Sequence, residues 1–117
     1  MKKILLIAIC FFAGCLGSPM QTQWEAEKNR KAMISLSTGM TKNDVLEKMG
    51  KPRKTELYIS KGDDIEYWFY LTEGATSHNR RMIETNYTPL VFVNDELIGW
   101  GSRYLDEHIK KYELRIR

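Results

Sequence analysis

The first fifteen residues decide how much of this chain is free to fold. Lys2 and Lys3 form a short basic start. Ile4 to Ala13 is an unbroken apolar run, and Ala13 and Gly14 place two small residues ahead of Cys15. A basic start, an apolar run of roughly 7–15 residues and a small-residue cleavage site together make a secretory signal peptide. The run is far short of the ~20 residues that span a bilayer. Residues 1–14 are therefore expected to be a removable leader. A mature chain starting at Cys15 keeps 103 of the 117 residues. That is enough for one core and too little for two.

The position of Cys15, directly after the small residues, resembles a bacterial lipobox. That resemblance implies that the thiol is acylated with palmitate-type chains and becomes the first residue of the mature protein. Leu16 follows it. An Asp there favours inner-membrane retention in many Gram-negative bacteria, so its absence points to the outer membrane, on the periplasmic side. Several acyl chains on one N-terminus anchor a domain far better than one, at ~0.8 kcal/mol per buried CH₂. The expected organisation is a lipoprotein signal peptide at 1–14, a lipidated tether at 15–22 and a domain at 23–117.

Losing the leader removes Lys2 and Lys3. The basic count falls from 18 to 16 against 15 acidic residues, and the net charge from +3 to +1. No basic run in the remainder exceeds Arg80-Arg81 or Lys110-Lys111. Nucleic acid is not an expected partner. Cys10 leaves with the leader and Cys15 is blocked by lipid. The folded part is left with no disulfide, no cysteine metal site and no cysteine nucleophile.

Along the domain, Gln23 to Leu36 reads as a helix with Ala26, Ala32, Met33 and Leu36 as its apolar stripe and Trp24, Lys28 and Lys31 on another face. Thr41 is a good N-cap, with Asp44 at the capping-box position. Val45, Leu46 and Met49 follow at helical spacing, and Gly50 and Pro52 stop the helix. Arg53 to Ser60 leans towards strand. Lys61-Gly62-Asp63-Asp64 is a hairpin turn. Ile65 to Leu71 alternates strongly, with Ile65, Tyr67, Phe69 and Leu71 on one side and Trp68 and Tyr70 on the other. Thr72 to Asn86 is a long polar loop. Thr88 to Val93 and Leu97 to Tyr104 are two further strands around an Asn94-Asp95-Glu96 turn. Asp106 to Arg117 is a short helix or an extended tail. The expected fold class is α+β: two N-terminal helices packed on one face of an antiparallel sheet of three or four strands, a two-layer sandwich.

Gly39-Met40-Thr41-Lys42-Asn43-Asp44-Val45, continuing to Gly50-Lys51-Pro52, resembles the GMT-x-x-x-V-x-x-x-x-G-x-P signature of the BamE (SmpA/OmlA-like) small outer-membrane lipoproteins. Tyr67 to Tyr70, and Thr88 through Gly101, are similar to uncharacterised members of that superfamily more than to BamE itself. The resemblance covers residues ~30 to ~105. It implies the helix–helix–sheet unit and a role in outer-membrane assembly or envelope integrity, with the barrel assembly machinery as the partner to expect. Fold does not carry function by itself. The same unit also occurs in enzyme-inhibitor proteins, so an inhibitor-like or ligand-binding module reading through the Thr72–Asn86 loop is the alternative.

No residue constellation points to catalysis, a metal or a cofactor. His78 and His108 read as surface residues. Asp63-Asp64 and Asp95-Glu96 read as solvated turn acids. Gly99-Trp100-Gly101 is not expected to be a phosphate loop, because no helix start is expected directly after it. Its glycines are expected to admit a close-packed neighbour. With helices on one face only, Trp68, Tyr70 and Trp100 are the candidate protein-binding residues, as an exposed aromatic patch on the open face.

Overall fold

Two two-residue turns set the sheet. Lys61 and Gly62 have φ of 53° and 83°, and Asn94 and Asp95 have 50° and 72°. Positive φ at both central positions is what a tight hairpin matching strand twist requires. The turns join β1 (Lys54–Ser60) to β2 (Asp63–Leu71) and β3 (Tyr87–Val93) to β4 (Glu96–Trp100). The computed structural model describes residues 19–74 and 84–112. Within them the sheet is a four-stranded antiparallel meander in the order β1-β2-β3-β4. Asn94 ties the two turns together. Its Oδ1 accepts from the Asp64 N–H at 2.9 Å, and its Nδ2 donates to Asp63 Oδ1 at 3.0 Å.

The α+β class holds, with three α-helices among the described residues: α1 (Pro19–Met33), α2 (Lys42–Met49) and α3 (Ser102–Tyr112). In α2 the Thr41 hydroxyl accepts from the Asp44 N–H and the Asp44 carboxylate accepts from the Thr41 N–H, both at 3.1 Å. Gly50, at φ 77°, closes it with its N–H on the Leu46 carbonyl. Val45 and Met49 are buried. α1 starts at Pro19, so residues 19–22 of the expected tether are helical. Its docking face is Thr22, Ala26 and Asn29, all buried, at one-turn spacings. The contact is mixed: Ala26, Ala32 and Met33 pack inward, and polar side chains bond to the main chain beside them. Asn29 Nδ2 donates to the Leu71 carbonyl at 2.8 Å, and the Arg30 guanidinium donates to the Thr72 carbonyl.

The two-layer expectation is corrected to three layers. On one face of the sheet, Trp68, Tyr70, Leu90, Phe92 and Leu97 pack with Leu36, Val45 and Met49 from the α1–α2 region. On the other, Ile65, Tyr67 and Val91 pack with Tyr104, Leu105, Ile109 and Tyr112 of α3. β2 alternates as expected, but its sides face the other way: Trp68 and Tyr70 meet the α1–α2 layer, and Ile65 and Tyr67 meet α3. Both sides are covered because β4 ends at Trp100, not at Tyr104. Gly101, at φ 108°, turns the chain straight into α3, and its carbonyl accepts the Leu105 N–H at 2.9 Å. A helix start therefore does follow Gly99-Trp100-Gly101. The C-terminal segment is helical to Tyr112, with Ile109 and Tyr112 on the sheet-facing side.

Candidate functional site

The three candidate aromatics do not form an open patch. Trp68 is 5% and Tyr70 1% exposed. The Trp68 ring lies 4.6 Å from that of Phe92, and its Nε1–H donates to Glu66 Oε2 at 2.8 Å. The Tyr70 hydroxyl donates to the Gly50 carbonyl at 2.7 Å, pinning the end of α2 to the sheet. Burial pushes that hydroxyl's pKa upward, so it stays a donor. Trp100 is half-buried against the same core. All three belong to the α1–α2 side of the sheet and act as packing residues.

Glu66 anchors the margin of that core. Lys42 Nζ sits 2.7 Å from its Oε1, with both side chains partly exposed. Burial pushes the carboxyl pKa up, but the hydrogen bonds from Lys42 and Trp68 outweigh it and hold the group below its ordinary value. The carboxylate thus links α2 to β2 as an anion.

The opposite face holds a buried tyrosine–histidine cluster that sequence reasoning missed. His108, expected on the surface, is 5% exposed. It lies between Tyr104 and Tyr112, with ring centroids at 6.4 and 4.6 Å. Its Nδ1 is 2.9 Å from the Tyr67 hydroxyl. Its Nε2 has no hydrogen-bond partner among the described residues. Burial, then the charge of Lys111, push its pKa down. Tyr112 donates from its hydroxyl to Asp63 Oδ2 at 3.1 Å, which closes the far end of α3 onto the first hairpin turn. The signal available in the sequence was the i, i+4, i+8 spacing of Tyr104, His108 and Tyr112, concealed by extending β4 through Tyr104.

The Gly99 expectation is met by this face. A Cβ at Gly99 would stand 2.5 Å from the Tyr104 ring, so the ring rests on the strand backbone. Gly101 meets nothing within 4 Å and serves the turn instead. Asp63 and Asp95 are not idle turn acids. The first receives Asn94 and Tyr112, and the second accepts the Lys42 N–H at 3.2 Å. His78 and most of the Thr72–Asn86 loop lie outside the described residues.

The two edges of the sheet differ. β4 is covered: the Gly39 N–H donates to the Leu97 carbonyl and the Leu97 N–H to the Met40 carbonyl, both at 2.8 Å. Thr41 forms an isolated bridge to Glu96. β1 pairs with β2 alone among the described residues, so its outer side is an open edge. Leu57 and Ile59 point to one face of that edge and are 68% and 76% exposed. No three His, Cys, Asp or Glu side chains gather in an arrangement fit for a metal ion among the described residues. An open polar groove of about 350 Å³ lies between α1 and the chain after β2, lined by Gln23, Glu27, Arg30, Glu73 and Gly74. None of the described helices is long and apolar enough to cross a membrane.

Among the described residues these features define an α+β domain with one covered edge, one open edge at β1, and helices packed on both faces of the sheet. The chain belongs to the family described as protein of unknown function DUF3192, whose model matches residues 9–107. No curated protein and no solved structure matches it.

Proposed function

We propose that the chain is a lipid-anchored envelope protein of the outer membrane, facing the periplasm. In this reading it acts as a non-catalytic protein-binding module, engaging another envelope protein through its open β1 edge. The observation that carries the binding role is that edge. Along Lys54–Ser60 alternate residues turn their main-chain groups outward, away from β2. Leu57 and Ile59, two apart on one face, are exposed apolar side chains. A partner strand added there gains main-chain hydrogen bonds, and alternate side chains supply selectivity. Lys54 and Glu56, paired at 3.3 Å, are the kind of charges that guard such an edge against indiscriminate pairing.

The anchor reading rests on Cys15 and the run before it. The signature from Gly39 to Pro52 resembles that of BamE-type lipoproteins, which favours the barrel assembly machinery as partner. The test is a photo-crosslinking residue at Leu57 or Ile59 in the full-length chain in cells, alongside Cys15→Ala. The expected result is crosslinking to an envelope protein that needs Cys15. Recovery of barrel assembly components supports the assembly role. No crosslink from β1, with crosslinks from another surface, overturns the edge as the binding surface.

A further inference from the structure

α1 has an outward ridge unlike its docking face. Thr22, Ala26 and Asn29 are buried against the domain. At 3.6 residues per turn, Trp24, Lys28 and Lys31 fall together on the opposite side. Trp24 is 77% exposed, and both lysines are exposed. The neighbouring acids are engaged. Glu25 receives Arg53 at 2.7 Å, and Glu27 is paired with Lys31 at 3.5 Å. Lys28 has no ion pair among the described residues.

A Trp flanked by lysines on a solvent-facing helix ridge matches the chemistry of a bilayer surface. The indole sits at headgroup level, and lysine stems reach lipid phosphates while lying along apolar surface. Chain length brings the ridge there. If Cys15 carries the lipid, the four Cα steps to Pro19 span at most about 14 Å. α1, of 15 residues, is about 22 Å long. Its first turns cannot leave the neighbourhood of the headgroups.

We propose that the Trp24–Lys28–Lys31 ridge of α1 docks on the anionic phospholipid surface of the membrane that anchors the chain. This rests on the lipid-anchor reading above. Docked so, the domain turns its α1–α2 layer to the bilayer and its α3 layer away from it. The β1 edge is left at the side, open to a partner.

The full-length chain, as the cell processes it, is placed in phosphatidylcholine vesicles with or without phosphatidylglycerol, and with brominated lipid as quencher. Trp24→Phe gives the background from Trp68 and Trp100. The expected result is a blue-shifted, bromine-quenched Trp24 component in the anionic vesicles, lost in Trp24→Phe and in the Lys28→Glu/Lys31→Glu double variant. Equal quenching in the double variant shows mere tethering and overturns the ridge, as does a Trp24 component that stays unquenched. Intact mass reports acylation separately. An acylated chain without quenching overturns the docking alone. A quenched but unacylated chain upholds the docking and overturns the anchor.

Discussion

The Tyr67 hydroxyl lies 2.9 Å from Nδ1 of His108, joining β2 to α3 across 41 residues of chain. Only one ring nitrogen of His108 is partnered among the described residues. A protonated ring would hold a charge and an unsatisfied N–H between Tyr104 and Tyr112. The folded chain therefore prefers the neutral imidazole, consistent with a pKa below the ordinary 6.5.

That preference gives a pH dependence. Above about pH 6.5 both the folded and unfolded chains hold His108 neutral, and its contribution to stability is fully present. As the pH falls, the unfolded chain takes up the proton first. Stability is lost down through the lower folded value and levels off below it. Thermal unfolding between pH 8 and pH 4 should show this fall. His108→Phe, which keeps the aromatic cluster, should flatten it, while lowering stability at every pH through the unpaired Tyr67 hydroxyl. A profile unchanged by the substitution sinks the assignment. The Tyr67 hydroxyl that faces the ring is pushed up by burial and stays protonated across this window.

Two glycines separate yielding from unyielding contacts. At Gly99 a Cβ meets the Tyr104 ring, the far end of a side chain that can swing away. Gly99→Ala should cost about 1–2 kcal/mol in urea unfolding. Much less should be lost when Tyr104→Ala is already present, a coupling that a double-mutant cycle reads directly. At Gly74 the Cβ would stand 2.6 Å from the Gln23 backbone. Main chain cannot step aside, so Gly74→Ala should cost more and should raise amide exchange in the first turns of α1.

Trp68 and Leu57 divide core from surface. Trp68→Ala should destabilise by about 3–5 kcal/mol, as a deleted core aromatic does. Leu57→Ala should stay within about 0.5 kcal/mol while weakening any β1-edge crosslink. A mild Trp68→Ala effect by chemical denaturation would contradict the packing described.

Thr41→Ala should cost about 1 kcal/mol through loss of the α2 cap. The bridge from Thr41 to Glu96 is main-chain, so β4-edge amides should stay protected from exchange. Asp44→Ala, which removes the other half of the capping box, should weaken the same cap.

Local chemistry made α2 legible, because cap, apolar spacing and C-terminal glycine all agreed within a dozen residues. The Lys61-Gly62 and Asn94-Asp95 turns were likewise local. The facing of β2 was not. Strict alternation of Tyr67, Trp68, Phe69 and Tyr70 shows two sides but not which helix covers each, since both sides are apolar. α3 was hidden by Tyr104 and Leu105, which suit a strand as well as a helix, and by a turn that depends on one glycine φ. α1 was legible in part. Its expected stripe of Ala26, Ala32, Met33 and Leu36 does pack inward, but it is supplemented by Asn29 and Arg30 bonding to main-chain carbonyls, which apolar spacing does not reveal. The aromatic patch is lost as a candidate site because the α1–α2 layer covers Trp68, Tyr70 and Trp100, while α3 packs on the opposite face. The β1 edge was invisible until strand order was known.

The covered edge of β4 has a further consequence. A sheet with two free edges can take a strand at each and pass growth along from copy to copy. Here Gly39–Thr41 occupies one side. Two copies that paired through β1 would leave no free edge of the described sheet, so copy-to-copy pairing closes at a two-fold dimer rather than running on into a fibre.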